Sequence, residues 1–435
     1  MDKCQRLVLS KLPSLGGNFP LTSTMVLRLL SLLRGSDDAP VACEAIKSIL
    51  RLPQISFVSE ASRDQLLHHI RFSIEYLRRS GLLDAEGNPI NLSGVATHLY
   101  YTEPSNMALV ALMRHGVLHR ICLQGSLVAA KRDLVSLLSH LFGRRYLPKA
   151  YASPKVLNAI TMKSPSKVVL APLPDDALKV LLEHEDHIKR VFTGYALAYV
   201  SHHAEVLKQD TQLPLSRKTL CPCTGAADST PFRERLRLTA VSSTARSPFI
   251  ATSGHGDHFG SVKELCDTTW HALHLNEYAI PSMLPFTTGN GQDEHDLEKF
   301  NLNAYLLDFY MHGQTAAIKV ANGIREGELW YLLQDFSLTL KAIRTGLLQL
   351  LQKASQDWNA NRMESGANDD FFEVDSGYGT WDTGVDPTEA ELDTENSQQN
   401  EYQRPDGVSD KDWRVFEVVS GVTEEFDEKF RAMWA

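Results

Sequence analysis

Apolar side chains recur with helical spacing along most of the chain. Near its start, two stretches at about 39–51 and 62–79 have this period, which predicts two helices. A turn at 86–89, Glu-Gly-Asn-Pro, separates two short apolar pieces and predicts a hairpin, after which a helix resumes near Ser93. Two helices followed by a small hairpin are the outline of a winged helix.

The same helical period continues downstream of this unit. One predicted helix ends at Gly143, and a second begins at Pro174, where two aspartates follow the proline. The clearest helix runs from Glu326 to about Lys353 and keeps leucines on one face throughout. The pattern therefore predicts a mainly α fold, with a winged helix followed by a helical bundle and an α-rich C-terminal region.

Both ends of the chain also carry helix signals. Thr22 or Ser23 can cap a helix that is apolar on all sides, which favours packing partners in several directions. Ser409 and Asp412 have the spacing of an N-cap before a last amphipathic helix. The intervening tract, 362–412, is rich in acidic and small polar residues, and we expect it to be disordered.

The formal charge of −9 conceals an uneven distribution. Residues 363–410 hold 14 acidic residues and one basic residue, Arg404, so the rest of the chain carries 43 − 39 = +4. Within that rest, residues 104–174 hold ten basic residues against one acidic residue, Asp133. A local charge of +9 is the kind of electrostatic footprint that nucleic-acid-binding regions carry.

The candidates for RNA contact are the basic residues of three segments. These are the second predicted helix, the +9 window, and a stretch at 232–238 whose side chains alternate with period two. The candidates are Arg71, Arg78, Arg79, Arg114, Arg120, Lys131, Arg132, Arg144, Arg145, Lys149, Arg233, Arg235 and Arg237.

Each segment also has a structural interpretation. A winged helix can serve as a joint between domains without touching nucleic acid. Arg144 and Arg145, which follow a helix end, can satisfy its terminal carbonyls. The alternating stretch can be an edge strand protected by charge. The acidic tract either competes with nucleic acid for the basic surface or is a solvated insertion.

The chain lacks the residues of an ATP-driven motor. The dipeptide Gly-Lys, which ends a phosphate-binding loop, does not occur. The string Asp-Glu-His-Asp at 293–296 has no apolar strand before it, so we interpret it as a helix start. The histidines at 255–258 and the cysteines at 221–223 lack the spacing of a metal site. We expect no catalytic residue, no metal, and no bound ATP or Mg²⁺ in this chain itself.

Several segments carry a resemblance to a known family. They include LPSLGGNFPLTSTMVLRLLSLL, YLRRSGLLDAEGNPINLSGVATHLYYTEPSN, HLFGRRYLP, SPSKVVLAPLPDD, SGHGDHFGSVKELC, LNAYLLDFYMHG and EGELWYLLQDFSLTLKAI. In this order, they resemble the C-terminal half of superkiller-type DExD/H-box RNA helicases of the interferon-inducible antiviral branch. The resemblance implies a winged helix and a ratchet-like helical region that follow two RecA-like motor domains.

The resemblance and the composition together predict six segments. They are a linker helix (1–36), a winged helix (37–103), a basic ratchet-like helical region (104–212), an α-rich C-terminal region (213–361), a disordered acidic tract (362–412) and a terminal helix (413–435).

The expected function is that of an accessory region of an ATP-dependent RNA helicase, which contacts RNA and braces the motor. The partners would be RNA and, if they are encoded upstream, RecA-like motor domains that bring ATP and Mg²⁺. A non-catalytic scaffold that binds proteins is the alternative. No apolar run is long enough for a membrane helix and no secretory leader is evident, so we expect a cytoplasmic protein without membrane contact.

Overall fold

A computed structural model describes residues 22–36, 38–50, 60–148, 151, 153–163, 168–207, 211–212, 219–220, 281–287, 301–364 and 402–433. The α-helices, in chain order, are α1 (Ser23–Gly35), α2 (Ala39–Leu50), α3 (Glu60–Arg79), α4 (Ser93–His98), α5 (Ser105–Arg114), α6 (Val117–Cys122), α7 (Leu127–Phe142), α8 (Pro154–Lys163), α9 (Asp175–Leu207), α10 (Leu284–Thr287), α11 (Tyr305–His312), α12 (Thr315–Ala321), α13 (Glu326–Glu364) and α14 (Asp410–Ala432). One antiparallel pair, β1 (Thr211–Gln212) and β2 (Thr219–Leu220), accompanies them. The prediction of a mainly α-helical fold is confirmed.

The predicted helix–helix–hairpin unit is present as α2, α3 and a hairpin at 82–90. Leu83 and Pro89 form an antiparallel bridge, and Asn88 donates its backbone N–H to Asp84 Oδ1 at 2.7 Å. Gly87 has φ of +82°, a left-handed conformation that glycine adopts without steric cost. The Glu-Gly-Asn-Pro turn therefore closes this hairpin as the sequence predicts.

Helix α1 belongs to the same unit. Thr22 Oγ1 accepts the backbone N–H of Met25, which confirms a capping residue at this end. Ser23 Oγ lies 3.1 Å from Ser73 Oγ of α3, and α1 packs against α2, α3 and α4. The sequence analysis assigned residues 1–36 to a separate linker, but α1 packs against the helices of the hairpin unit and buries Leu27 fully.

The C-terminal helices fold back onto the rest of the chain. One hydrophobic core extends from Val26 in α1 to Phe426 in α14, so the predicted segments share a single interior. Helix α13 packs on α4 and along α14. A Cβ on Gly346 would lie 3.2 Å from Val95 Cα, so the glycine permits the close approach of α13 to α4. The segment predicted as a C-terminal region thus braces the N-terminal unit.

A small extended layer interrupts the helices. Residues 301–303 pair on one side with 145–147, where Leu147 N donates to Asn301 O at 2.9 Å. On the other side they pair with 168–170, where Leu170 N donates to Leu302 O at 2.9 Å. The region predicted as helical at 104–212 is therefore extended, not helical, at 145–147 and 168–170, because these residues pair with 301–303 from a distant part of the chain.

Part of the acidic tract is structured. Residues 402–412 lead into α14, Val408 is buried, and Ser409 Oγ accepts the backbone N–H of Asp412 at 3.1 Å. Arg404 donates to the carbonyl of Val408 and to Asp410. The Ser409 cap is confirmed. The prediction of disorder is wrong at this end of the tract, because Val408 is in the core; residues 365–401 lie outside the described residues.

Candidate nucleic-acid interface

The paired arginines after α7 are structural. Arg144 is 4% exposed, and its guanidinium carbon lies 5.8 Å from the ring centroid of Tyr146. Arg145 donates to the buried carboxylate of Glu328 at the start of α13. A Cβ on Gly143 would lie 2.0 Å from Leu306 Cδ1, so the end of α7 is pressed against α11. This motif joins the extended layer to α13 and does not face solvent as a phosphate-binding surface.

Other basic residues of the +9 window also have acidic neighbours. Lys131 Nζ lies 2.6 Å from Glu425 Oε1 of α14, and the lysine side chain is 15% exposed. Arg120 is bound to Asp176 at 2.8 Å, and Arg132 to the adjacent Asp133 at 3.1 Å. The window is therefore not one free cationic surface, because acids from α9 and α14 lie against it.

Acidic side chains of helix α14 lie against basic side chains of other helices. Beside the Lys131 contact, Asp412 Oδ1 lies 2.8 Å from His119 Nε2, and Asp427 Oδ1 lies 2.8 Å from Lys341 Nζ of α13. A Cβ on Gly421 would lie 2.6 Å from Lys131 Nζ, so this glycine leaves room for the lysine to cross α14. The contacts hold α14 to α6, α7 and α13.

The arginines of α3 have a different environment. Arg71, Arg78 and Arg79 are all exposed, while Phe72 and Tyr76 of the same helix are fully buried. Glu75 lies 3.0 Å from Arg78 and 2.5 Å from Arg79, and these are pairs within one turn of an exposed helix face. Such pairs contribute only tenths of a kcal/mol, roughly 0.3–0.5, so they hold the guanidiniums weakly.

Helix α3 meets α9 at a cluster of rings. Tyr76 Oη lies 2.9 Å from His184 Nε2, and the rings of His184 and His187 are 6.0 Å apart. The Tyr76 ring also lies 6.3 Å from that of His187. Phe72 makes an edge contact with Phe192 of α9. These contacts place the second helix of the hairpin unit against the long helix α9, as expected of a joint.

Three arginines lie around this contact, which we call the junction arginines: Arg79 of α3, Arg114 of α5 and Arg190 of α9. All three are exposed. Arg114 donates to the Ser80 carbonyl, just beyond the end of α3, and would meet a Cβ on Gly81 at 3.3 Å. Sequence reasoning included Arg79 and Arg114 but missed Arg190, because Arg190 follows three acids, Glu183, Glu185 and Asp186, and lies outside the +9 window.

Burial and neighbouring cations both act on the histidines of the junction. Burial lowers the pKa of His184 to about 3, with further contributions from His187, Arg114 and His115. Burial is also the main reason that the pKa of His187 lies below its usual value, and the charges of Arg190, Arg79 and Arg114 lower that pKa further. Both rings are therefore neutral at pH 7, and the positive charge there belongs to the arginines.

The remaining candidates for RNA contact lie outside the described residues; they are Lys149, Arg233, Arg235 and Arg237. The Asp-Glu-His-Asp string and the His- and Cys-containing loops also lie outside them. Within the described ranges, no group of three metal-ligating side chains occurs. No helix of those ranges is both long enough and apolar enough to cross a bilayer.

Comparison with known proteins places the hairpin unit in a family. Residues 15–97 match the model of the DDX60-like winged helix domain. Over 360 residues, 81% of this chain, the sequence is 30% identical to a human protein described as probable ATP-dependent RNA helicase DDX60-like. The chain is related to the DDX60-like RNA helicases. The matched residues confirm the predicted winged helix and include α1, and the resemblance read from the sequence segments is likewise confirmed.

Two further relatives are described as uncharacterized helicases. One, from Dictyostelium discoideum, is 29% identical over 294 residues, 65% of this chain. The other, from Caenorhabditis elegans, is 22% identical over 364 residues, 80% of this chain. The chain spans 15–20% of the length of these three relatives. No solved structure matches it.

Proposed function

We propose that this chain is an accessory, non-motor region of an ATP-dependent RNA helicase, which contacts the RNA backbone at the junction arginines. The observation behind this proposal is that the basic residues of the chain differ in their surroundings. Arg79, Arg114 and Arg190 are exposed around one contact between the winged helix and α9, while Lys131, Arg144 and Arg145 are enclosed or ion-paired across helices. A human relative that matches 81% of this chain is described as a probable ATP-dependent RNA helicase.

The chemistry of the junction suits phosphate groups. Guanidinium groups bind phosphate with two parallel hydrogen bonds, and each phosphate contact releases counterions from the nucleic acid. Arg71 and Arg78 extend the exposed face along α3, separated by seven residues or about 10 Å of helix axis. A row of this kind follows a backbone without reading the sequence.

Helicase motor domains of the RecA type would supply ATP, Mg²⁺ and the hydrolysis step, and this chain would brace them through its helical body. We infer a cytoplasmic role in RNA surveillance or antiviral defence from the family resemblance alone. Protein partners beyond the motor belong to the same inference.

Salt-dependent binding tests the RNA contact. The full chain is titrated into fluorescein-labelled oligouridylate at several salt concentrations, and the slope of log Kd against log salt counts the phosphates that are neutralised. The double variant R79Q/R190Q is expected to weaken binding and to reduce the slope by roughly 1.4, about 0.7 for each single-strand phosphate contact. Both arginines are exposed, so the variant keeps its fold, which circular dichroism checks.

Arg325 offers a matched control. It is an exposed arginine just before α13, with its side chain 85% exposed. R325Q removes the same charge from the same chain and should leave the slope unchanged. If the native chain does not bind RNA at low salt, or if R325Q reduces the slope as much as a junction variant does, the proposed RNA contact is wrong.

A protein-binding scaffold is the second candidate function. It is favoured by an apolar patch at the turn between α6 and α7, where Leu123, Leu127 and Val128 are 42%, 39% and 74% exposed. Three neighbouring exposed aliphatic side chains at one turn are typical of contact surfaces.

Purified motor domains of the human DDX60-like relative provide the test of this second function. Binding by the chain in the presence of nuclease, reduced at least tenfold by L127D/V128D, would support a bracing contact at the turn. Binding that is unaffected by these substitutions would exclude this patch as the contact.

A further inference from the structure

One titratable ring, that of His187, lies at the junction. His187 of α9 is half-buried, and its Nε2 atom is buried without a hydrogen-bond partner. The ring lies 6.0 Å from that of His184 and 6.3 Å from that of Tyr76. It is therefore held between α3 and α9 beneath the surface that the junction arginines occupy.

The charged and titratable groups that face His187 come from each neighbouring element. Helix α3 contributes Tyr76 and Arg79, and the end of α5 contributes Arg114, while His115 acts on the neighbouring ring of His184. Its own helix contributes His184 and Arg190, with Asp186 adjacent in sequence. The α10 segment, 281–287, contains no charged residue, and Glu185 is turned toward it, accepting the backbone N–H of Met283 at 2.6 Å.

Two physical effects keep His187 neutral in the free chain. Partial burial penalises the imidazolium, and the three guanidiniums repel it, so its pKa lies below the ordinary value. A phosphate group bound by those guanidiniums would add negative charge beside them and reduce the repulsion. The pKa of His187 would then be higher in the complex than in the free chain.

We propose that RNA binding at the junction is coupled to the uptake of a proton by His187, so that this histidine adjusts RNA affinity to pH. The inference rests on the proposed RNA contact. Its direction follows from linkage: a group whose pKa is higher in the complex makes binding tighter as the pH falls. As the pH falls, the gain in affinity begins near the pKa of His187 in the complex and is complete below its pKa in the free chain.

Affinity is measured for the full chain and oligouridylate between pH 7.5 and 6.0 at constant ionic strength. Uracil does not titrate in this range, so the probe contributes no protons. The native chain should bind about fivefold more tightly at pH 6.0 than at pH 7.5, since one coupled proton gives at most tenfold per pH unit. H187Q replaces the imidazole ring with a neutral amide. Its RNA affinity should equal that of the native chain at pH 7.5, and it should lose most of the gain in affinity at pH 6.0.

His115 is the matched control, because it is an exposed histidine of the same junction. H115Q should keep the pH dependence. If H187Q keeps the gain in affinity at pH 6.0, or if the native affinity does not depend on pH, proton coupling by His187 is wrong. The proposed RNA contact is unaffected by either outcome. Absence of RNA binding at every pH overturns the RNA contact itself. Weaker binding of H187Q at pH 7.5 would instead assign His187 a structural role and would also overturn the coupling.

Discussion

The basic residues at the winged helix–α9 junction and those in and just after α7 look alike in sequence but have different surroundings. At the junction, Arg79 and Arg190 are exposed to solvent. In α7, Lys131 binds Glu425, and just after α7, Arg145 binds the buried Glu328. The density of positive charge is higher around α7, yet acidic side chains from distant helices lie against these two residues. A count of charges along the chain therefore does not tell which cations remain available to a ligand.

The difference arises from distance along the chain. Glu75, which pairs with Arg79, is four residues away, and its contact is exposed and weak. Glu328 and Glu425 are 183 and 294 residues from their partners, and they arrive with whole helices that bury apolar surface. The Arg145–Glu328 pair is largely shielded from water, since the Glu328 side chain is 5% exposed, so removal of Arg145 leaves a buried charge.

The largest expected effect breaks the buried pair. R145Q leaves Glu328, whose side chain is 5% exposed, without its main partner. We expect a loss of about 3 kcal/mol in the free energy of unfolding, measured by urea denaturation. The double variant R145Q/E328Q should recover part of that loss. R190Q, an exposed arginine, should change stability by less than about 0.5 kcal/mol, and an equal loss there would remove the distinction between the two regions.

The second prediction concerns how the free energy of unfolding depends on pH through a buried histidine of α7. His140 of α7 is 3% exposed, lies 2.7 Å from the Ala171 carbonyl through Nε2, and has a pKa that burial lowers to about 4. The unfolded chain takes up this proton near pH 6.5, so the stabilisation is complete above that pH and is lost as the pH falls toward 4. From pH 7 to pH 5 we expect this histidine to account for a loss of about 2 kcal/mol.

The measurement is a set of urea titrations at both pH values for the native chain and for H140Q. The substitution itself lowers stability, but the pH dependence that remains should be smaller by about the stated 2 kcal/mol. An unchanged pH dependence in H140Q would mean that His140 is not neutral and buried in the folded chain.

Lys131 gives a third and smaller effect. K131M keeps an unbranched side chain beside Gly421 but removes the contact with Glu425, which is 44% exposed. We expect a loss of about 1 kcal/mol by urea denaturation, because water solvates the remaining carboxylate. The salt slope of RNA binding should not change. A reduced slope would return Lys131 to the RNA-contacting set and weaken the comparison between the regions.

The smallest effect is expected for Arg120. Its pair with Asp176 links α6 to α9, but both side chains are about half exposed. R120Q should alter the unfolding free energy by less than about 0.5 kcal/mol. Its RNA affinity at low salt should equal that of the native chain. A loss of affinity comparable to that of R190Q would extend the RNA surface from the junction toward α6.

Prediction from sequence succeeded where local signals are strong. The turn at 86–89, the end of α7 at Gly143 and the start of α13 at Glu326 all follow from neighbouring residues. It failed for the extended layer at 301–303, whose partners at 145–147 and 168–170 are too short to leave a periodic signal. The placement of α1 in the winged helix was also missed, because a helix apolar on all sides does not indicate which neighbour it meets.

The candidate site was predictable only in part. The exposed face of α3 follows from helical periodicity, which places Arg71 and Arg78 opposite the buried Phe72. Arg190 and His187 gave no signal, because their role depends on α9 lying beside α3 and α5. The enclosure of Arg144 was likewise invisible, since the residues that cover it come from elsewhere in the chain.

The sequence by itself determined the helical composition, the winged helix, the family resemblance and the absence of a phosphate-binding Gly-Lys dipeptide. These properties depend on residues within a few turns of one another. Tertiary structure alone decided which cations are neutralised, because an acid hundreds of residues away neutralises a base only after the chain has folded. It also decided that Arg79, Arg114 and Arg190 come together, exposed, around the contact between α3 and α9.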